Sequence, residues 1–160
     1  MLLAVLLLCL AGCAQPTKEG TTAPLPGQTS SESRPDAPQL QAYERSVKAF
    51  TDACTAQIYA FTSSMDTDDI PAGRQAADTL KETLDRFQAI QPPERCASVH
   101  TLFTQAWEKA GTIYALMLQI LGDRQYDNDD MPYVTACEDA AEVFAQSTRD
   151  GLARLERLFE

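Results

Sequence analysis

The chain has 160 residues, of which 13 are basic and 23 acidic, with one histidine and five cysteines, for a formal net charge of −10. That length suits one domain with a modest core, and a pI near 4.5 without any basic run argues against a partner that presents nucleic-acid phosphates. A single imidazole and no local grouping of nucleophile, base and orienting group leave little for acid–base or covalent catalysis.

Residues 1–12 read MLLAVLLLCLAG, an uncharged stretch shorter than the ~20 apolar residues of a spanning helix and suited to the apolar core of an export signal. The stretch closes on Leu10-Ala11-Gly12-Cys13, which resembles the lipobox of bacterial lipoproteins. The Lys or Arg that usually precedes such a run is missing, so the α-amino group alone supplies positive charge there. The resemblance implies that Cys13 receives a diacylglyceryl group and becomes the first mature residue, placing the mature chain outside the cytoplasm on a lipid anchor. Each acyl chain adds about 0.8 kcal/mol per buried methylene. With Ala14 after the cysteine, where the familiar inner-membrane retention signal has Asp, the resemblance is compatible with an outer membrane in a two-membrane cell.

From Ala14 to Pro38, 14 of 25 residues are Gly, Pro, Ser or Thr, and Leu25 is the one large aliphatic. This composition reads as a flexible tether with an r.m.s. span of roughly 25 to 30 Å. The expected organisation is a signal peptide over 1–12, a lipidated Cys13 and linker over 13–38, and a folded domain over 39–160.

Beyond the tether, apolar residues recur at helical spacing with no strand-like alternation. Leu40, Tyr43, Val47, Phe50, Cys54, Ile58 and Phe61 form one stripe, and Ala77, Leu80, Leu84, Phe87 and Ile90 a second. Cys96, Val99, Phe103, Ala106, Ala110, Ile113, Met117 and Ile120 make a third; Val134, Cys137, Ala141, Phe144, Thr148, Leu152, Leu155 and Phe159 a fourth. Three segments open with Asp-x-Pro at Asp36, Asp69 and Asp130, joining an N-cap acceptor to a proline that is harmless in the first turn. The third follows Pro92-Pro93, which cannot continue a helix. The spacing therefore predicts helices near 38–64, 71–90, 93–122 and 132–159, an all-α domain whose short connections imply an up-down-up-down four-helix bundle. The segments Asp66–Pro71 and Asp127–Pro132 share the pattern D-[TN]-D-D-[IM]-P, which reads either as duplication of a helical hairpin or as convergent capping.

Charge concentrates in these two loops: Asp66, Asp68 and Asp69 in one, Asp123, Asp127, Asp129 and Asp130 against Arg124 in the other. Asp66, Asp68, Asp127 and Asp129 are the candidate ligands for a divalent cation such as Ca²⁺, which takes six to eight oxygens. No EF-hand pattern is present, and capping plus solubility explains the same residues. Once Cys9 leaves with the signal and Cys13 is acylated, Cys54, Cys96 and Cys137 remain on core stripes, an odd count that permits one disulfide. Heights of roughly 5 Å for Cys96, 14 Å for Cys54 and 36 Å for Cys137 make Cys54–Cys96 the least strained pair, leaving Cys137 as the odd thiol; another pair or three reduced thiols stay open. Cys96 and His100 have an i, i+4 spacing that could present two ligands to a metal, while a partly buried imidazole bonded to a neighbour accounts for it as well. No C-x-x-C-H motif for haem attachment is present.

The run Leu84, Phe87, Ile90, Pro92-Pro93, His100 and Phe103 resembles a pattern in uncharacterised secreted bacterial helical proteins, which implies a hairpin and no activity. His100, Trp107 and Tyr114 flank the third stripe, as core aromatics or as one wall of a ligand groove. The reading that unites these features is a lipid-anchored, extracytoplasmic helical binding or scaffold module of the bacterial envelope. Its expected partners are the membrane, through the N-terminal lipid, and an envelope protein; neither catalysis, a cofactor nor nucleic acid is expected. The alternative is a cation- or small-ligand-binding lipoprotein that uses the Asp loops or the His100/Trp107/Tyr114 face.

Overall fold

A computed structural model describes residues 37–125 and 131–160. Four helices, α1 (Ala37–Asp66), α2 (Ile70–Phe87), α3 (Ala97–Gln125) and α4 (Met131–Glu156), make an all-α four-helix bundle, and no strand occurs among the described residues. The signal segment, Cys13 and the tether up to Asp36 lie outside them, as do Asp127, Asp129 and Asp130.

Helix boundaries reflect the start and stop chemistry. Asp69 caps α2, its carboxylate accepting from the Ala72 N–H at 3.0 Å with Pro71 in the first turn. Helix α2 ends at Phe87, a turn earlier than the apolar spacing predicts. Ala89 N–H and Ile90 N–H close i→i+3 turns on the Arg86 and Phe87 carbonyls, because the residues before Pro92-Pro93 are driven out of the α region. The same prolines delay α3 to Ala97, after a 3₁₀ turn over Glu94–Cys96 in which Cys96 N–H bonds Pro93 O at 2.8 Å. Helix α4 stops at Glu156, so Phe159 lies beyond it and is exposed.

Successive helices pack on one another, α3 lying against both α2 and α4. In α1 and α2, Phe50 meets Phe87 while Ser64 and Met65 flank Gly73. In α2 and α3, Leu84 and Phe87 meet Trp107 while Gly73 faces Leu121. All residues of the first and third stripes are buried. The fourth stripe is less covered: Phe144 and Leu155 are buried, but Val134, Cys137, Ala141 and Leu152 are only partly so, since α4 leans on α3 and touches α1 little.

Helix α2 has 18 residues where α1 has 30 and α3 has 29. At the helical rise it is about 16 to 18 Å shorter than either. Beyond its end α1 and α3 make direct contact through Tyr43, His100 and Phe103.

Phe103 is fully buried and lies over Gly151, where an added Cβ would fall 2.9 Å from the ring. Gly151→Ala therefore gains about 1 kcal/mol of helix propensity and loses more, about 1–3 kcal/mol, to overpacking. Gly111, with nothing within 4 Å of such a Cβ, keeps the gain alone. Thermal melts of the two alanine variants should move in opposite directions, Gly151→Ala down and Gly111→Ala up.

Candidate functional site

The polar chemistry of the described chain concentrates where α2 stops short. His100, on the first turn of α3, stacks on Phe87 with ring planes 6° apart and centroids 5.5 Å apart. Its Nδ1 lies 2.9 Å from the Tyr43 hydroxyl. Burial lowers the His100 pKa and, with the nearby Cys96 thiol adding to it, raises that of Tyr43. Both groups are therefore neutral near pH 7; we assign the phenol as donor to Nδ1, with the ring proton on Nε2.

Trp107 stacks on Phe87, with planes 17° apart, and donates its indole N–H to the Leu84 carbonyl at 3.0 Å. Leu84 belongs to the last turn of α2, where carbonyls run out of helical partners, so the indole helps satisfy that end. Tyr114, half-buried two turns further along α3, lies near Lys81 of α2. The face of His100, Trp107 and Tyr114 is thus the seam that packs α3 on α2, His100 and Trp107 sharing the Phe87 ring and Tyr114 lying nearer Lys81.

Beside this cluster a cleft of about 510 Å³ opens between the start of α1 and the α2–α3 connection. Tyr43 and Ala42 of α1 line it with Ile90, Pro92 and Pro93 of the connection, and Arg86, paired with Glu82 at 3.0 Å, also contributes to the lining. The volume falls within the range of small-molecule sites.

The expected Cys54–Cys96 disulfide is not formed: Cys54, Cys96 and Cys137 are all reduced thiols, the first two fully buried. The reason is height. Cys96 neighbours Tyr43, and Cys54 is three turns further up α1, about 16 Å on the helical rise, beyond the ~7 Å Cα separation that a disulfide spans. Burial pushes the Cys54 thiol up to about 12. Burial, with Glu138 beside it, brings Cys137 to about 11. Both are protonated and poor nucleophiles at neutral pH.

Of the candidate cation ligands, Asp66 and Asp68 lie on the exposed α1–α2 turn, and Asp127 and Asp129 lie outside the described residues. Asp68 has a use that spacing does not disclose: it adopts φ 55°. Its N–H bonds Met65 O and the Asp69 N–H bonds Ser64 O at 2.8 Å, the paired pattern that terminates a helix through one left-handed residue. Glycine is usual there, and an aspartate in a D-D pair carries no such signal. Among the described residues no group of three or more His, Cys, Asp or Glu side chains is placed to hold a metal ion. No family model, curated protein or solved structure matches the chain.

A left-handed residue with a side chain costs about 1–2 kcal/mol, less for Asp, so Asp68→Gly should raise the melting temperature, with or without added Ca²⁺. A loss of stability confined to Ca²⁺-containing buffer would make Asp68 a ligand instead. The imidazole gives a second test. Because the folded-state pKa of His100 is depressed, its contribution to stability is complete above the unfolded value of about 6.5 and is lost as pH falls through the folded-state value. Urea titrations between pH 7.5 and 5 should show this decline in the wild type and not in His100→Phe.

Proposed function

We propose that the protein is a lipid-anchored helical module of the bacterial cell envelope, held outside the cytoplasm through Cys13 and acting by binding or scaffolding. The observation that carries this reading is Leu10-Ala11-Gly12-Cys13 at the close of an uncharged apolar run, followed by a Gly/Pro/Ser/Thr-rich stretch that ends where α1 begins at Ala37. An acylated cysteine attaches the chain, the tether gives it reach, and an up-down-up-down bundle supplies a rigid body. The pairwise contacts support that order, since residues early in one helix meet residues late in the next. No helix among the described residues is long and apolar enough to cross a membrane, which suits attachment through lipid.

A binding role in preference to catalysis is supported by the commitment of the reactive groups. The one imidazole is stacked on Phe87 and bonded to Tyr43, and the Cys54 and Cys137 thiols are held protonated. The cleft beside Tyr43 is a concave surface in the described chain that a small partner segment or ligand could enter.

The test is attachment. Expressed in a bacterium with lipoprotein processing, the wild-type chain should sediment with membranes and resist a high-salt wash, and Cys13→Ser should appear in the soluble extracytoplasmic fraction. A Cys13→Ser chain that stays membrane-bound after the wash would refute the proposal.

A further inference from the structure

The two ends of the bundle carry very different charge. One end gathers Tyr43 of α1, His100 and Phe103 of α3 and Gly151 of α4. The other gathers Ser64, Met65, Gly73 and Leu121. Around the first, Arg45, Arg95, Arg154 and Arg157 are matched by Glu44, Glu94, Glu156 and Glu160. Around the second, Asp66, Asp68, Asp69 and Asp123, with Glu138 and Asp139 early in α4, stand against Arg74 and Arg124. Most of the excess negative charge of the described residues thus lies at the end remote from where α1 begins.

We infer that, on an anionic lipid surface, the bundle stands with its Arg45/Arg95/Arg154/Arg157 end toward the lipid and its Asp66/Asp68/Asp69/Asp123 end away; the inference rests on the Cys13 anchor. The tether alone does not fix this orientation. A 25-residue linker extended at the usual reach per residue is longer than the bundle, whose 30-residue α1 measures about 45 Å, so either end can reach the surface. Charge decides between them. Ionic screening confines the surface potential to about 8 Å at physiological salt, so only the end nearest the lipid feels it, and an anionic leaflet attracts arginines and repels carboxylates. The charge-balanced end approaches without net repulsion; the acidic end does not. The consequence is a fixed presentation, with the α1–α2 turn and the end of α3 facing outward to whatever the module meets.

Energy transfer tests this on the full lipidated chain reconstituted on phosphatidylcholine vesicles with or without phosphatidylglycerol. A donor is placed at exposed Ser63 near the acidic end or at exposed Ser98 near the other, by an encoded fluorescent residue, with an acceptor lipid in the bilayer. On phosphatidylglycerol vesicles at low salt, transfer from Ser98 should be retained and transfer from Ser63 lost. High salt or pure phosphatidylcholine should narrow the difference. Changing Asp66, Asp123 and Asp139 to Lys, with folding checked by circular dichroism, should restore transfer from Ser63. Equal transfer from both positions at low salt, or a difference insensitive to both salt and the lysine substitutions, overturns the orientation while leaving the anchor standing. Absence of transfer from either position removes the anchor, and the orientation with it.

Discussion

The ring of Phe87 is the contact on which the arrangement of three helices depends. It is the last residue of α2, and it meets Phe50 of α1 at 4.5 Å and both His100 and Trp107 of α3. Its position is set by covalent chemistry a few residues away: Pro92-Pro93 forbid α2 from continuing into α3, so the helix stops while α1 and α3 run on. Because α2 is the short helix, α1 and α3 close on each other below it, Tyr43 reaches His100, and the connection over 88–93 wraps the gap that forms the cleft. Aromatic pairs of this kind contribute about 0.5–1.5 kcal/mol beyond the area they bury. Their larger effect is to fix how far α2 reaches along its neighbours.

How much of this is legible in the sequence depends on whether the determinant is local. The stripes of α1 and α3 are, because a buried face repeats at the helical period whatever it packs against; all of Leu40 to Phe61 and Cys96 to Ile120 at stripe positions are buried. Asp69 is legible as a cap for the same reason, its partner Ala72 lying three residues on. The fourth stripe looks as strong as the others, yet Val134, Cys137 and Leu152 are half-covered, since coverage depends on how close α1 comes to α4, and no periodicity encodes that. The Cys54–Cys96 pairing fails on similar grounds: it needs the vertical register of α1 against α3, which Tyr43 against His100 sets three turns below Cys54.

Residues whose types suggest chemistry are largely structural in the described chain. The i, i+4 pair of Cys96 and His100 is a core thiol and an imidazole that bridges α1 to α3. Trp107 spends its one donor on the end of α2, and Asp68 and Asp69 commit their backbone and side chain to reversing the chain between α1 and α2. Each of these groups would cost stability if buried or bent without a partner. Each finds its partner within the fold.

The property that distinguishes one part of that surface from another is electrostatic. Turns between helices need acceptors for orphan N–H groups and residues that tolerate a left-handed backbone, and aspartate serves both needs. Meeting those needs with Asp at the α1–α2 turn deposits negative charge at one end of the bundle. The α2–α3 connection is built from proline instead, with Pro93 opening the 3₁₀ turn and no side chain capping it, so no capping carboxylate sits there. Thus the same choice of turn chemistry that sets the length of α2, and with it the position of Phe87, also leaves one end of the domain acidic and the other balanced. Local folding requirements thus set the uneven charge on which the proposed orientation rests.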